Sequence, residues 1–407
     1  MPNAPFQKPT KVSVIGTGRV GSTYAYTLLL RGTADEICLI NDDKEKALGE
    51  SMDLNHAMSL VERTTIWAGS MHDVADSDLV VISAGSAQKP GETRMDLITK
   101  NAAIVGDIAE RVGKLAPNAI LLVVTNPVDV MSYVALARSG LPRERVIGSG
   151  TVLDTARLRY VIGDELGINP QSIHASVIGE HGDSEIPAWS RATIAGTPLR
   201  HWALSESHLQ SMFEEVRDAA YHIINLKGAT FYAIAVALAK ITESILRDLR
   251  SVYSVSCYID GEYGVSGVYL GTPAVVGREG ILRVIELPLS PEELAAFKKS
   301  AEIVKQAIQG LNLKPPAFYK KLFKRVSGFD FSGEIDVGPG HLPPQPSSRL
   351  SHGLPPSQSE SLATEAQAEQ DLQAKAVYYK QPRPIYARRP RRAHARPRGL
   401  NRKAPNG

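Results

Sequence analysis

A short apolar run, three spaced glycines and a helix-forming segment follow one another near the start of this 407-residue chain. In VSVIGTGRVGSTYAYTLLL the glycines are Gly16, Gly18 and Gly21. The first permits a tight turn, the second lets a bound group approach the backbone, and the third lets the helix pack closely on the strand. The free N–H groups at the start of that helix suit a pyrophosphate. The stretch therefore predicts a dinucleotide site, which also includes Val20.

The second strand of such a unit normally ends in an acid that binds the adenosine ribose. Here CLINDDKEKA places Asn41 at that position and Asp42 directly after it. Either side chain can hydrogen-bond the ribose hydroxyls. Because the expected fixed charge is missing, these residues leave the choice between NAD and NADP open.

Apolar runs alternate with helical patterns over the first 150 residues. The runs are VSVIG, EICLI, DLVVISAG, AILLVVTN and RVIGSG, and the helical segments include STYAYTLLLRG and DLITKNAAIVGDIAERVGKL. Continuous Val, Ile and Leu indicate strands that are buried on both faces. With helical crossovers between them, they predict an α/β fold in which residues 1–149 form a Rossmann-type doubly wound parallel sheet.

The pattern becomes mixed after residue 149. Helical periodicity returns in DTARLRYVIGDELG, SESHLQSMFEEVRDAAYHIINL and SPEELAAFKKSAEIVKQAIQGL, whereas SVYSVSCYIDGEYGVSGVYLGTPAVVG is rich in strand formers. We predict a second, α+β domain over residues 150–311, which would carry the substrate and the catalytic groups.

The composition of residues 312–407 is rich in Pro, Gly and Ser and then strongly basic, which predicts a disordered tail with one isolated helix at 361–376. Eleven Lys and Arg and no acid lie from Lys375 onward, so a formal charge of +3 for the whole chain leaves −8 on residues 1–374. The body is therefore acidic, and we do not expect it to bind nucleic acid. The tyrosines and arginines of the tail leave RNA open as a partner, although a solvated appendage is the simpler interpretation.

Two cysteines, Cys38 and Cys257, provide neither a disulfide framework nor a cluster of metal ligands, so we expect no metal site. No apolar stretch approaches the roughly 18 residues that a membrane helix needs. The N-terminus lacks the features of a secretory leader. We expect a cytoplasmic protein with no membrane association.

One histidine, His181, stands between two glycines and among three carboxylates in VIGEHGDSE. Hydride transfer to or from a nicotinamide requires a proton to move at the substrate oxygen, and histidine titrates near the working pH. Asp154, on a predicted helix, can orient the imidazole. Arg157 lies three residues further along the same helical face, where its guanidinium can bind a substrate carboxylate through two hydrogen bonds.

Two loops at the carboxyl edge of the predicted sheet supply further candidates. SAGSAQKPGETRMDL follows the fourth strand and carries Gln88 and Arg94. A loop of this kind can close over bound substrate, exclude water and bring a cation to a polarised carbonyl. Asn126 follows the fifth strand at the same edge, in VVTNP.

Taken together, these motifs resemble the L-lactate and malate dehydrogenase family, and most of all its bacterial L-lactate dehydrogenases. The resemblance spans about residues 11–311 and is carried, in family order, by GTGRVG, AGSAQKPGETR, VTNPVD, GSGTVLDTARLR, IGEHGDSE and KGATFYAI. It implies NAD as the cofactor, reversible hydride transfer between NADH and pyruvate to give L-lactate, and a homotetramer.

The resemblance also implies a role for each matching residue. His181 would be the proton donor and acceptor and Asp154 its orienting carboxylate. Arg157 would bind the substrate carboxylate, and Arg94 would polarise the carbonyl. Further contacts in the substrate and nicotinamide pocket are implied for Asn126, Ser149 and Thr230.

Gln88 matches the family's specificity position, where a neutral amide suits the methyl group of pyruvate and an arginine suits the second carboxylate of oxaloacetate. A malate or other 2-hydroxy acid dehydrogenase is the alternative function. A catalytically idle nucleotide- or RNA-binding protein is the alternative from another class. The combination of His181, Asp154, Arg157 and Arg94 argues against it, because cofactor binding alone needs none of them.

Arg159 and His174 match the fructose 1,6-bisphosphate site of the allosteric bacterial members of the family. There, cations from symmetry-related subunits hold one dianion between them. The resemblance therefore implies activation by this phosphate, while a solvated arginine and a packed strand histidine are the alternative interpretation.

Overall fold

The strands and helices are taken from a computed structural model of the chain, in which residues 8–87, 91, 93–202, 204–311 and 313 are described. Gln88 and nearly all of the predicted tail, including the helix expected at 361–376, lie outside these residues.

A nine-stranded sheet forms the centre of the fold. Its strand order is β14-β13-β12-β6-β5-β4-β1-β2-β3, and the strands from β6 to β3 are all parallel. The parallel strands are β1 (Lys11–Ile15), β2 (Glu36–Ile40), β3 (Thr65–Ala68), β4 (Leu79–Ile82), β5 (Ile120–Val123) and β6 (Val146–Gly148). Most of their residues are buried, as continuous apolar runs predict. The predicted doubly wound sheet is confirmed.

Helices connect the parallel strands and pack against one another. The helices before residue 150 are α1 (Arg19–Arg31), α2 (Lys44–His56), α3 (Arg94–Leu115) and α4 (Val128–Ser139). Later in the chain are α5 (Val152–Leu166), α6 (Glu206–Lys227), α7 (Tyr232–Leu246) and α8 (Pro291–Gln309). Helix α1 contacts α7, and a buried hydrogen bond of 2.6 Å joins the Tyr24 hydroxyl to that of Thr242. The later part of the chain therefore packs directly on the first.

The strand-rich segment after residue 250 extends the same sheet. It forms β12 (Ser251–Asp260), β13 (Ser266–Gly277) and β14 (Gly280–Val284), which are antiparallel, and β12 pairs with β6 through Ser256 and Gly148. Five two-residue strands lie between α5 and α6: β7 (Ile173–His174), β8 (Val177–Ile178), β9 (Ile186–Pro187), β10 (Thr193–Ile194) and β11 (Thr197–Pro198). They form two small antiparallel sheets. The division at residues 149 and 150 stays a prediction, because one sheet runs across it.

Among the described helices, none combines the length and the apolarity that crossing a bilayer would need.

Candidate functional site

The turn between β1 and α1 has the geometry of a phosphate-binding loop. Gly16 has a positive φ of 100°, and a Cβ there would lie 2.5 Å from the Ala84 nitrogen. A Cβ on Gly21 would lie 1.9 Å from the Gly16 carbonyl oxygen. A Cβ on Gly18 would meet no described atom within 4 Å, and Gly18 is the N-cap residue of α1, which has no side-chain cap. The open space in front of these free N–H groups fits a pyrophosphate, and thus the dinucleotide that the sequence predicts.

The two candidates for the ribose behave differently. The Asn41 amide donates to the Thr17 hydroxyl at 2.6 Å and accepts from the Asp43 backbone N–H at 3.1 Å, so it braces the glycine turn. Asp43 caps α2 by accepting from the Lys46 N–H. Asp42 is exposed, and among the described residues its carboxylate has no hydrogen-bond partner. Asp42 is therefore the freer of the two candidates to meet a ribose hydroxyl.

Arg94 begins helix α3, whereas the sequence placed it in the preceding loop and the start of the helix at Asp96. The reason is a reciprocal cap, in which the Thr93 hydroxyl and the Asp96 side chain bond each other's backbone N–H groups. The Arg94 guanidinium is 57% exposed and pairs with the buried carboxylate of Glu180 at 2.6 Å. A partner next to His181 in the sequence therefore holds the predicted carbonyl-polarising cation in this structure.

The loop that carries His181 is held by hydrogen bonds of its backbone to β13 and to α8. Gly179, with a φ of 93°, exchanges two hydrogen bonds of 2.8 Å with Gly271 of β13. The Glu180 N–H donates to the Ser300 hydroxyl of α8 at 2.8 Å. These contacts hold the loop between β13 and α8, with the His181 side chain 26% exposed at the site.

One buried carboxylate connects the three central candidates. Asp154, whose side chain is 3% exposed, lies 2.7 Å from His181 Nδ1 through Oδ2 and accepts from Arg157 Nη1 at 2.9 Å through Oδ1. Among the described residues, the other N–H groups of the Arg157 guanidinium have no hydrogen-bond partner. The same is true of His181 Nε2. The arrangement places a proton-transfer group beside a cation that can anchor an acid.

The charges in this group shift each other's pKa values. Burial alone would raise the pKa of Asp154, but the charges of His181 and Arg157 outweigh it and the pKa is lowered. Burial alone would lower the pKa of His181, but the Asp154 charge and hydrogen bond, aided by Glu185 and Asp129, raise it to about 9. The imidazole is therefore protonated at neutral pH.

A second buried acid beside this pair was not among the predicted site residues. Glu185 is 7% exposed, and one of its carboxylate oxygens lies within 4.8 Å of a ligating atom of both Asp154 and His181. Burial and the Asp154 charge raise the pKa of Glu185 to about 9. These three residue types could hold a metal ion, but both Asp154 oxygens already bind His181 and Arg157. The signal was present in the sequence, since Glu185 belongs to the motif that contains His181.

The remaining pocket candidates lie on segments that follow strands or helices. Asn126 is exposed three residues after β5, and its carbonyl accepts from the Asn101 amide at 2.8 Å. Ser149 is buried directly after β6, and its N–H donates to the Val123 carbonyl. Thr230 is half-buried between α6 and α7. The structure places Asn126 and Ser149 at the carboxyl ends of neighbouring parallel strands, where α/β sheets bind their ligands.

Arg159 and His174 are brought together on neighbouring elements. Arg159 of α5 is half-buried and donates through Nε to the carbonyl of Ala175, the residue after His174, at 2.9 Å. Burial lowers the pKa of Arg159, and among the described residues no carboxylate pairs with it. His174 is exposed on β7 rather than packed. His174 is therefore not a packed strand residue, and the effector role of the two residues stays a prediction.

A doubly wound sheet with a glycine-lined dinucleotide turn, together with a paired histidine and carboxylate, defines an NAD-dependent oxidoreductase. Two family models support this assignment. The lactate/malate dehydrogenase NAD binding domain matches residues 10–148, and the lactate/malate dehydrogenase alpha/beta C-terminal domain matches residues 151–312. The chain belongs to the lactate/malate dehydrogenase family, and its cofactor is NAD.

Individual relatives cover the same region. L-lactate dehydrogenase of Thermoanaerobacter sp. (strain X514) is 48% identical over 309 residues, which are 74% of this chain and 99% of that protein. L-lactate dehydrogenase of Geobacillus thermodenitrificans is 50% identical over 301 residues, 72% of this chain and 95% of that protein. The ligand-bound crystal structure of the minor L-lactate dehydrogenase from Enterococcus mundtii has a TM-score of 0.74 at 38% identity and covers 75% of this chain and 99% of that one.

Proposed function

We propose that the protein is an L-lactate dehydrogenase that interconverts pyruvate and L-lactate. The observation that carries the proposal is the Asp154 carboxylate, which holds the His181 imidazole at 2.7 Å and the Arg157 guanidinium at 2.9 Å. A small 2-keto acid needs these two functions next to each other, a proton donor for its carbonyl and a cation for its carboxylate. The names of the relatives at 48–50% identity support the same reaction.

In the proposed reaction His181 transfers the proton and Arg157 binds the substrate. NADH, held at the glycine turn of Gly16, Gly18 and Gly21, would supply the hydride for the central carbon of pyruvate. His181 donates a proton from Nε2 to the carbonyl oxygen, and Asp154 stabilises the charged imidazole before the transfer. Arg157 binds the substrate carboxylate through two hydrogen bonds. In the direction of lactate oxidation, His181 takes the hydroxyl proton back.

The other predicted residues would complete the pocket. Arg94 would leave Glu180 to polarise the carbonyl when the loop before α3 closes over substrate. Asn126, Ser149 and Thr230 would line the substrate and nicotinamide positions. The cofactor contacts would come from Gly16, Gly18, Val20 and Gly21, and from Asp42 or Asn41.

Steady-state NADH oxidation with pyruvate, using wild type and His181→Gln, tests the proposal. We expect the substitution to lower kcat by about 100- to 10,000-fold, the usual contribution of a general acid. NADH affinity, followed by fluorescence, serves as the control and should stay within about twofold because the nucleotide is bound by other residues. Pyruvate reduction at the wild-type rate by His181→Gln would disprove the assignment.

Substrate choice separates the proposal from a malate or other 2-hydroxy acid dehydrogenase. We expect a higher kcat/KM for pyruvate than for oxaloacetate, because the neutral Gln88 offers no charge for a second carboxylate. Gln88→Arg should move the preference toward oxaloacetate, since a paired carboxylate gains a charge-assisted hydrogen bond. An unchanged ratio in this variant would show that Gln88 is not the specificity residue.

Fructose 1,6-bisphosphate activation is the regulatory part of the proposal. The half-buried Arg159 cation, which has no carboxylate partner among the described residues, supports it together with the exposed His174. A coupling of about 1–3 kcal/mol is typical, so the phosphate should lower the half-saturating pyruvate concentration by about 5- to 150-fold. Arg159→Gln should abolish this response without changing activity at saturating pyruvate. If wild type shows neither a shift nor phosphate binding, the effector site is excluded.

Assembly into a homotetramer is part of the same proposal, as is a cytoplasmic location. Large apolar side chains on helices support an assembly, for example Leu48 and Met52 of α2, which are 53% and 52% exposed, and Leu226 of α6, which is 87% exposed. Sedimentation velocity measures the mass directly. A monomer at the concentrations used for activity assays would contradict this part.

A further inference from the structure

Asp129 is a buried acid that the proposed reaction does not use. It lies in the first turn of α4 and is 2% exposed. Its Oδ2 accepts a hydrogen bond from the backbone N–H of His181 at 2.7 Å, and its Oδ1 accepts one from the Ser256 hydroxyl of β12 at 2.5 Å. One carboxylate thus joins three elements that lie far apart in the sequence.

The placement of this carboxylate connects the two sides of the site. Asp129 comes three residues after Asn126, and the Asn126 carbonyl is itself held by the Asn101 amide of α3. Asn126 stands at the carboxyl end of β5, whereas His181 stands on the loop before β9. Residues 126–129, which run into the first turn of α4, therefore set the distance between Asn126 and the backbone of His181.

The Asp129 carboxylate is buried, and its two hydrogen bonds offset the unfavourable free energy of burying it. Burial raises its pKa to about 6, while the hydrogen bonds from Ser256 and from the His181 N–H act in the opposite direction. A carboxylate is stable in a buried position where its acceptor oxygens are satisfied, because burying an unpaired charge is strongly unfavourable. Hydrogen bonds to a charged acceptor are also stronger and more directional than neutral ones.

We propose that Asp129 is a positioning residue for the proton transfer: through the His181 backbone it fixes the imidazole relative to Asn126 and the nicotinamide. It touches no reacting atom, and its action passes through His181 alone. The inference rests on the proposed role of His181. The new element is that the position of the His181 imidazole depends on Asp129 of α4 as well as on Asp154.

Kinetics of three single variants test this inference. Asp129→Ala removes the acceptor of the His181 N–H, and we expect kcat for pyruvate reduction to fall at least tenfold, since a misplacement of about 1 Å can cost about 100-fold. NADH affinity should not change. Asp129→Asn keeps an oxygen that can accept from His181, so it should restore most of the lost kcat. Ser256→Ala removes only the second partner of Asp129 and should lower stability while leaving kcat near the wild-type value.

The double variant Asp129→Ala/His181→Gln separates this inference from the proposed function. If Asp129 acts through His181, adding Asp129→Ala to the His181→Gln enzyme should not lower its residual rate further, because the proton transfer that Asp129 supports is already gone. A full additional loss would show a general structural role and overturn the inference. An active His181→Gln enzyme would instead overturn the proposed function.

A folded variant is needed for each outcome. Should Asp129→Ala fail to fold, Asp129→Glu takes its place, because it keeps the charge and both acceptor oxygens but displaces the His181 backbone by one methylene. A folded Asp129→Glu or Asp129→Ala enzyme with the wild-type kcat would disprove the positioning role.

Discussion

At the scale of residues, the site is built around the sharing of one carboxylate. Asp154 and Arg157 lie three residues apart on α5, and this spacing alone would also fit a surface ion pair worth about 1 kcal/mol or less. Burial of Asp154 to 3% exposure and its second bond to His181 distinguish the two interpretations. The same carboxylate holds the Arg157 guanidinium and raises the pKa of the His181 imidazole beside it.

The raised pKa of His181, about 9, sets the expected pH profile of pyruvate reduction. The proposed reaction needs protonated His181, so kcat/KM should be level at neutral pH and fall about tenfold per pH unit above about 9. The ion pair with Asp154 also stabilises the fold below the ordinary histidine pKa of about 6.5 and loses this contribution as the pH rises through about 9. Pyruvate reduction measured from about pH 6 to about pH 10.5 checks the position of the descending limb.

Asp154→Asn is the matched variant for this measurement. Asp154 contributes the largest effect that raises the pKa of His181, and burial, which lowers that pKa, would remain. The descending limb should therefore move to lower pH. A limb that stays in place would show that another group controls the profile.

At the scale of elements, the β1 to α1 unit shows what each glycine does. Gly21 lies against the Gly16 carbonyl, and the absence of a side chain there lets the helix pack closely on the turn. Gly18 faces open space, and the absence of a side chain there leaves room for a bound group. The sequence motif contains both, but only the structure separates their functions.

Gly21→Ala and Gly18→Ala should accordingly fail in different ways. A Cβ at Gly21 would lie 1.9 Å from the Gly16 oxygen, and we expect a loss of about 1–3 kcal/mol in the free energy of unfolding. A Cβ at Gly18 collides with nothing in the described part of the protein. This variant should keep its Tm and bind NADH more weakly. Thermal unfolding and NADH fluorescence titration together measure both effects, and equal behaviour of the two variants would contradict the assignment.

Helical crossovers were expected between the strands, but the sequence did not locate helices α2 and α4, and strand β3 was not predicted. Helix α4 is buried on almost every side, so its sequence has no amphipathic period to detect. Helix α2 buries only Ala47, Ser51 and Leu54, which gives a weak signal. Strand β3 lies at the edge of the sheet, and Thr65 is exposed there. Periodicity finds elements with one buried face, and these three have too much or too little burial.

At the scale of the whole molecule, the described fold closes at its C-terminal helix. Helix α8 buries Phe297 and Ala301 completely, and Leu311 and Leu313 pack against the same core. The motifs of the family and the candidate site residues all lie before this point. Activity should therefore belong to the part of the chain that ends shortly after α8.

A chain that ends at Lys320 should keep kcat and KM for pyruvate within about twofold of the full-length values, because no described site residue is removed. Steady-state kinetics of both forms measure this, and RNA binding to the full-length chain tests the alternative use of the tail. A large loss of activity or of assembly on truncation would show that residues 321–407 contribute to the enzyme.

The sequence by itself determined the dinucleotide turn, the parallel sheet and the candidate proton donor, because each is encoded in residues close together in the chain. Only the tertiary structure showed that Asp129 also contacts the loop of His181. Asp129 lies 52 residues from it, and Asp129 and Ser256 lie 127 residues apart. Spacing along the chain reports neighbours within one element. Contacts between elements depend on how the sheet and helices pack, and that packing brings buried carboxylates from α4 and α5 to a single loop.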